Sequence, residues 1–303
     1  RLSRTLREFY EGSFALFRPS ATLLAVLLGT ISWLGEGVGF FFILIGLGLP
    51  PSERMLAMAV FVLAFSTVVG AASALPGGLG AAEASIAGLL TLTLLWDLSG
   101  LDMASMRAIG SPEGFALQDN WLLSRVLHDG LRQVMTGFWL LLLAWACWPG
   151  GRLPRRERWT VVALATLSLL AVNLVKNASQ TSCPWDLQAY GGAARWVSHW
   201  AWGVADGGPG RCFPGGHASS GFAFIALCLP WLDAPRGTTP DRLRATGLRW
   251  LAAVLFVGLL AGAVQTLRGA HFPSHTLWTL LMSAAVSWVG WRVAQPWLTP
   301  TKS

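Results

Sequence analysis

Long apolar runs recur along the chain and are separated by short polar or basic stretches. A run near 20 residues, wound as a helix, crosses roughly 30 Å of hydrocarbon. The pattern predicts spans over about 21–49, 55–75, a short third over 85–96, then five more at about 131–149, 159–175, 217–232, 248–267 and 276–293. The first twenty residues are basic and partly amphipathic, as in an interfacial helix. Residues 97–130 are polar with short amphipathic pieces and read as surface segments on the membrane. The fold class expected is all-α, a polytopic integral membrane helical bundle of about eight spans.

Composition agrees: 53% of residues are hydrophobic and only 12% charged, against about 25% charged in a usual soluble domain. The 17 Trp suit interfacial belts. The net charge of +7 is no nucleic-acid signal, because the basic residues cluster in short loops. The Arg-rich stretches 150–158 and 233–249 are placed in the cytoplasm by the positive-inside bias. Counting spans from a basic N-terminus inside then puts residues 176–216 and the turn near His271 on the outer face, and the C-terminus inside. The chain is expected in a bacterial inner membrane with its site facing the periplasm. Starting at Arg1 without a Met, it reads as a fragment or a trimmed sequence.

Polar chemistry gathers at that outer face. Gln265–Thr279 carries His271 and His275 at i and i+4, with Arg268 three residues before the first. If the turn is helical, all three share one face. Two earlier stretches pair with it: Lys176–Leu187 and Arg211–His217. Lys176 and Arg268, with Arg211 as a third cation, favour an anion, most simply a phosphate. Gly215 and Gly216 before His217 offer backbone N–H groups to the same anion. Histidine accepts a phosphoryl group or donates a proton near neutral pH. His271 is therefore assigned as nucleophile, His217 as the acid that protonates the leaving alkoxide, and His275 as the group orienting His271. No carboxylate-rich ligand set is evident, so neither a metal nor another cofactor is expected. His128, His199 and Asp186 are read as structural, and Trp185 and Trp278 as candidates to flank a lipid entrance. Cys183 and Cys212, in the outer loop, are read either as a disulfide or as two free thiols; Cys147 and Cys228 are expected to be buried thiols.

These stretches resemble the three motifs of the type-2 phosphatidic-acid phosphatase superfamily of integral membrane lipid phosphatases: K-x6-R-P, P-S-G-H and S-R-x5-H-x3-D. The chain has Lys176-x6-Cys183-Pro184, Pro214-Gly215-Gly216-His217 and Gln265-x2-Arg268-x2-His271-x3-His275. It departs at Cys183 and Gln265, where the family has Arg, at Gly215 for Ser, and at His275 for Asp. Over about residues 94–298 the resemblance implies a phosphohistidine on His271, acid catalysis by His217, and phosphate held by Lys176 and Arg268. Residues 1–93 resemble the later part of the lysylphosphatidylglycerol-synthase transmembrane region, a flippase-type family, through REFYEGSFALFRPS and SALPGGLGAAEASIAGLL. That family's continuation is missing after about Thr93, as in a natural fusion or a chain lacking an internal portion. Glu36 and Glu83 are read either as lining a polar path there or as locally satisfied acids.

The expected organisation is a partial flippase-like segment, 1–93, and a lipid phosphatase-like domain, 94–303. The expected function is hydrolysis of a membrane lipid phosphate or diphosphate. Phosphotransfer to another lipid at the same site, or lipid transport or scaffolding by a chain whose phosphatase site has drifted, are the alternatives.

Overall fold

The computed structural model describes residues 19–46, 51–72, 81–232 and 241–298. The expected interfacial helix, the Pro-Gly break before residue 81, much of the basic stretch 233–249 and the Glu83 side chain lie outside the described residues. The chain divides into two compact units, Arg1–Ala87 and Gly88–Ser303.

In the first unit, α1 (Pro19–Gly46) packs on α2 (Glu53–Ala72). Leu44, Met55, Ala59 and Val62 are buried between them, while Leu23, Leu27, Ile31 and Leu34 are exposed. An apolar face turned outward is what lipid contact requires of a spanning helix. Glu36 is exposed on α1.

The second unit holds the candidate chemistry. Helix α3 (Ala81–Ser99) runs into α4 (Leu101–Ile109) through a 65° bend at Gly100, whose φ of 71° favours glycine. A two-residue hairpin follows, Gly110–Ser111 paired with Gly114–Phe115. A π-helical segment, Leu122–Gly130, then continues directly into α5 (Leu131–Cys147). Residues 122–130 therefore begin a helix of 26 residues, Leu122–Cys147, rather than a surface segment. Their polar residues recur on one side of a helix already apolar enough to span.

Helix α6 (Arg155–Ala178) returns beside α5. Between them Arg158 is buried, its guanidinium donating to the carbonyls of Trp145, Trp148 and Gly150. It closes the end of α5, where carbonyls lack intrahelical partners.

The stretch expected to span over 217–232 is the core of the unit. It is built of α7 (Ser219–Phe222), a 3-10 segment (Ala223–Cys228) and α8 (Leu229–Leu232), only 14 residues in all. Leu142 and Ala146 of α5, Val161, Leu164 and Ala165 of α6, and residues of the last two helices, α9 (Asp241–Leu267) and α10 (Pro273–Leu298), enclose it. A sequence apolar on all sides suits protein interior as well as lipid, and here it is enclosed by protein. A Cβ on Gly221 would lie 2.3 Å from the backbone nitrogen of Gly258, so α7 and α9 cross backbone to backbone.

Among the described residues four helices are long and apolar enough to span, or five with the bent α3–α4 pair taken as one, fewer than the eight expected. Cys147 is exposed, not buried; Cys228 is buried.

Candidate active site

The site forms where α6 and α9 end and α10 begins. After Leu267 the chain leaves the helix: the N–H groups of Ala270 and His271 both donate to the Gln265 carbonyl, at 2.8 and 3.3 Å. Gly269 takes a φ of 74° in this turn, and its carbonyl accepts the Trp185 N–H. Pro273, with no N–H to lose, starts α10. The turn is thus not helical, and Arg268 does not share a face with the two histidines. Its Nε donates to the Gln118 carbonyl at 2.9 Å, and its guanidinium lies 5.9 Å from the Trp185 ring.

His271 and His275 nevertheless meet. Their Nδ1 atoms are 3.3 Å apart, and both side chains are buried. The Sγ of Cys212 lies 3.3 Å from the same His271 nitrogen. Cys212 is joined to Cys183 by a disulfide with Cα atoms 5.1 Å apart, so its sulfur only accepts. The donors and acceptors around His271 all address Nδ1, which leaves Nε2 for another partner. The ligand atoms of Cys183, Cys212 and His271 lie within 4.8 Å of one another. The disulfide leaves that group no thiolates with which to hold a metal.

The Gly215–His217 loop sits over this pair. The Gly215 N–H donates to the His275 carbonyl at 3.1 Å, and the Thr279 hydroxyl lies 3.0 Å from the Gly215 carbonyl. Gly215 therefore locks the loop to α10 and has no N–H left for an anion. The Ser219 and Ser220 hydroxyls engage the carbonyls of Gly216 and His217, at 2.6 and 2.7 Å. With its carbonyls occupied, the loop has the N–H groups of Gly216 and His217 uncommitted among the described residues, a polarity suited to an anion. A Cβ on Gly216 would stand 3.1 Å from Lys176 Cδ, so the absent side chain is what lets the lysine lie across the loop.

The charges divide around the histidines. Burial pushes His271 down to about 3, helped by the positive charge of Lys176 and by His217. Burial likewise lowers His217 to about 4, reinforced by His128, Arg132 and Arg268. Desolvation disfavours the charged imidazolium in each case. Arg211 is exposed, has a φ of 58°, and lines a cleft of about 280 Å³ with Asn177–Gln180 and Asp206. It is not among the charges that act on His271 or His217.

Several residues that shape the site were not singled out from the sequence. Asp102 of α4 accepts the Ser274 N–H at 3.0 Å, the Trp96 indole N–H at 2.8 Å and the Ser274 hydroxyl. It thereby caps α10 one residue before His275. Asp97 accepts from His199, Trp200 and Trp278 at 3.1, 3.0 and 2.9 Å. His199 in turn stacks on Phe213 with centroids 4.2 Å apart, and Phe213 meets the His275 ring edge-on. Trp185 and Trp278 are thus engaged by Arg268 and Asp97. Asp186 accepts the Cys183 N–H and shapes its loop. His128 lies against His217 with centroids 4.4 Å apart. All five histidines of the chain so belong to one connected neighbourhood. The signal available beforehand was their number alone, since the contacts join residues far apart in the chain.

No curated protein and no solved structure matches the chain. The apolar helices make it a multi-pass membrane protein. Two family models match, in the places the motifs indicated: residues 1–98 match the lysylphosphatidylglycerol synthase TM region, and residues 157–298, from the start of α6 to the end of α10, match the PAP2 superfamily.

Proposed function

We propose that the protein is an integral membrane phosphatase that hydrolyses a lipid phosphate or diphosphate through a phosphohistidine on His271. The observation that carries this reading is the Nδ1-to-Nδ1 contact of His271 and His275. With the Nδ1 proton of His271 donated to His275, Nε2 keeps its lone pair and attacks phosphorus. The bond from phosphorus to the leaving oxygen breaks, and His217 gives that oxygen a proton. Water then attacks the phosphohistidine, His217 takes a proton back, and inorganic phosphate leaves. Lys176, Arg268 and the N–H groups of Gly216 and His217 hold the charge of the phosphoryl oxygens through both steps. Because His217 is neutral in the empty site, binding of a phosphate dianion is what loads it with a proton.

The site lies at the end of the unit opposite the basic stretch 150–158, and the disulfide suits an oxidising compartment. Both favour a periplasm-facing site in a bacterial inner membrane. In this reading residues 94–303 form the phosphatase domain, and residues 1–93 are a partial flippase-like segment. The match of residues 1–98 favours a second role in lipid movement beside the chemistry.

The test is phosphate release from a panel of lipid phosphates in detergent with chelator, comparing the protein with His271→Ala. Release lost in the variant, together with an acid-labile, base-stable phosphoenzyme in the parent, is the expected result. No release from any lipid by folded protein overturns it. Phosphate appearing on an added lipid acceptor instead identifies a phosphotransferase.

A further inference from the structure

The PAP2 match starts at residue 157, yet a histidine from outside it reaches the site. His128 belongs to the nine-residue π-helical segment Leu122–Gly130. Such helices are rare and usually occur as single turns at functional places. The His128 ring lies on that of His217, with centroids 4.4 Å apart and planes tilted by 35°. Its Nδ1 is 3.0 Å from an Asp129 carboxylate oxygen, and Arg125 approaches the other oxygen at 3.6 Å. The same segment touches His217 a second time, through the Leu127 carbonyl 3.4 Å from Nε2.

We propose that His128, oriented by Asp129, is a positioning residue that holds His217 for proton transfer to the leaving group, so that the active site extends onto the π-helical segment. This rests on the phosphatase reading above and adds a residue to it. The carboxylate fixes the proton of His128 on Nδ1, and the tilted ring against it confines His217 to one orientation. The Leu127 carbonyl accepts the Nε2 proton of His217, which turns Nδ1 outward as the exchanging atom. The groups facing His217 are His128 and Arg132 from this segment and α5, Arg268 from the turn, and His271 with Lys176 across the site. His128 is the one among them that carries its own carboxylate partner.

Acid catalysis matters only when the leaving group is poor. The experiment therefore compares dioctanoyl phosphatidic acid, whose alkoxide needs a proton, with p-nitrophenyl phosphate, whose phenolate does not. His128→Ala is expected to lower kcat/KM, which includes only the steps up to departure of the leaving group and not the shared hydrolysis of the phosphohistidine, on the lipid by about tenfold or more and on the aryl ester by less than about twofold, and to move the acidic limb of the pH profile. Asp129→Asn, at a surface position, is expected to shift both readouts the same way by a smaller factor, and it serves if His128→Ala fails to fold. Equal losses on the two substrates, or no loss on either, overturn the proposal. Where the panel above yields release from another lipid phosphate, that lipid takes the place of phosphatidic acid; wild-type protein inactive on the whole panel overturns the phosphatase reading instead. Activity that depends on His271 but responds equally on both substrates to His128→Ala overturns only the role of His128.

Discussion

The Nδ1 atoms of His271 and His275 face each other at 3.3 Å inside a buried site. Two neutral imidazoles in that arrangement share one proton, and the donor decides which ring is nucleophilic. If His271 donates, its Nε2 is free to attack; if His275 donates, Nε2 of His271 carries the proton and is inert. Where the resembling family has an Asp, which only accepts when ionised, this chain has a group that plays either part.

His275→Ala removes the acceptor and is expected to lower kcat by at least about 10²-fold, with KM nearly unchanged. His275→Asp restores a fixed acceptor and is expected to retain activity within about tenfold of the parent. Its acidic limb should move upward, because a carboxylate favours the imidazolium of His271. Steady-state kinetics across pH decide the matter; a His275→Ala variant as fast as the parent removes His275 from the mechanism.

The depressed histidines fix the sign of the pH response. His271 and His217 are lowered to about 3 and about 4 in the folded protein, whereas an unfolded chain protonates its histidines near 6.5. Below about 6.5 the unfolded state binds more protons, so stability falls as pH drops from there toward about 4. The nucleophile stays unprotonated over the same window. The acidic limb of kcat/KM is thus expected below about 5, while melting temperature in detergent already declines between about 6.5 and 5. An acidic limb near 6.5 would mean that water reaches the imidazoles freely.

What could be read from the sequence was what is local. Lys176 at a helix end, His271 and His275 four positions apart, and the Gly-Gly step before His217 are read directly from the sequence. The rest depends on pairings that no local pattern encodes. Asp102 meets Ser274 across 172 positions, and Asp97 meets Trp278 across 181. Arg158 sits in a stretch of four arginines that reads as loop charge, yet it is buried against three carbonyls. The central segment Ser219–Leu232 is ambiguous for a different reason: burial in protein and burial in lipid select the same residues. Arg268 shows the limit of helical spacing, because a single glycine turn between Leu267 and Pro273 breaks the helix that would have put it on one face with the histidines three and seven positions on.

Asp102 links the packing of α4 to the chemistry of α10. Its two oxygens serve the Ser274 N–H, the Ser274 hydroxyl and the Trp96 indole, and Ser274 is fully buried. A carboxylate there also opposes the positive end of the α10 dipole. Asp102→Ala loses the cap, at about 0.5–2 kcal/mol, and strands two buried donors on Ser274, each at about 1–3 kcal/mol. A melting temperature lower by several degrees is expected, since about 1 kcal/mol corresponds to roughly 2–4 °C in a domain of this size. Because His275 is the next residue of the same turn, kcat is expected to fall as well, even well below the melting point. Asp102→Asn keeps one acceptor for the Ser274 N–H and should recover most of the stability but only part of kcat. Thermal melts and low-temperature kinetics on the two variants separate these effects. If Asp102→Ala changes neither, the start of α10 is held instead by Phe272 in its apolar cluster and by the lock between Gly215 and His275, and the carboxylate is only an incidental neighbour.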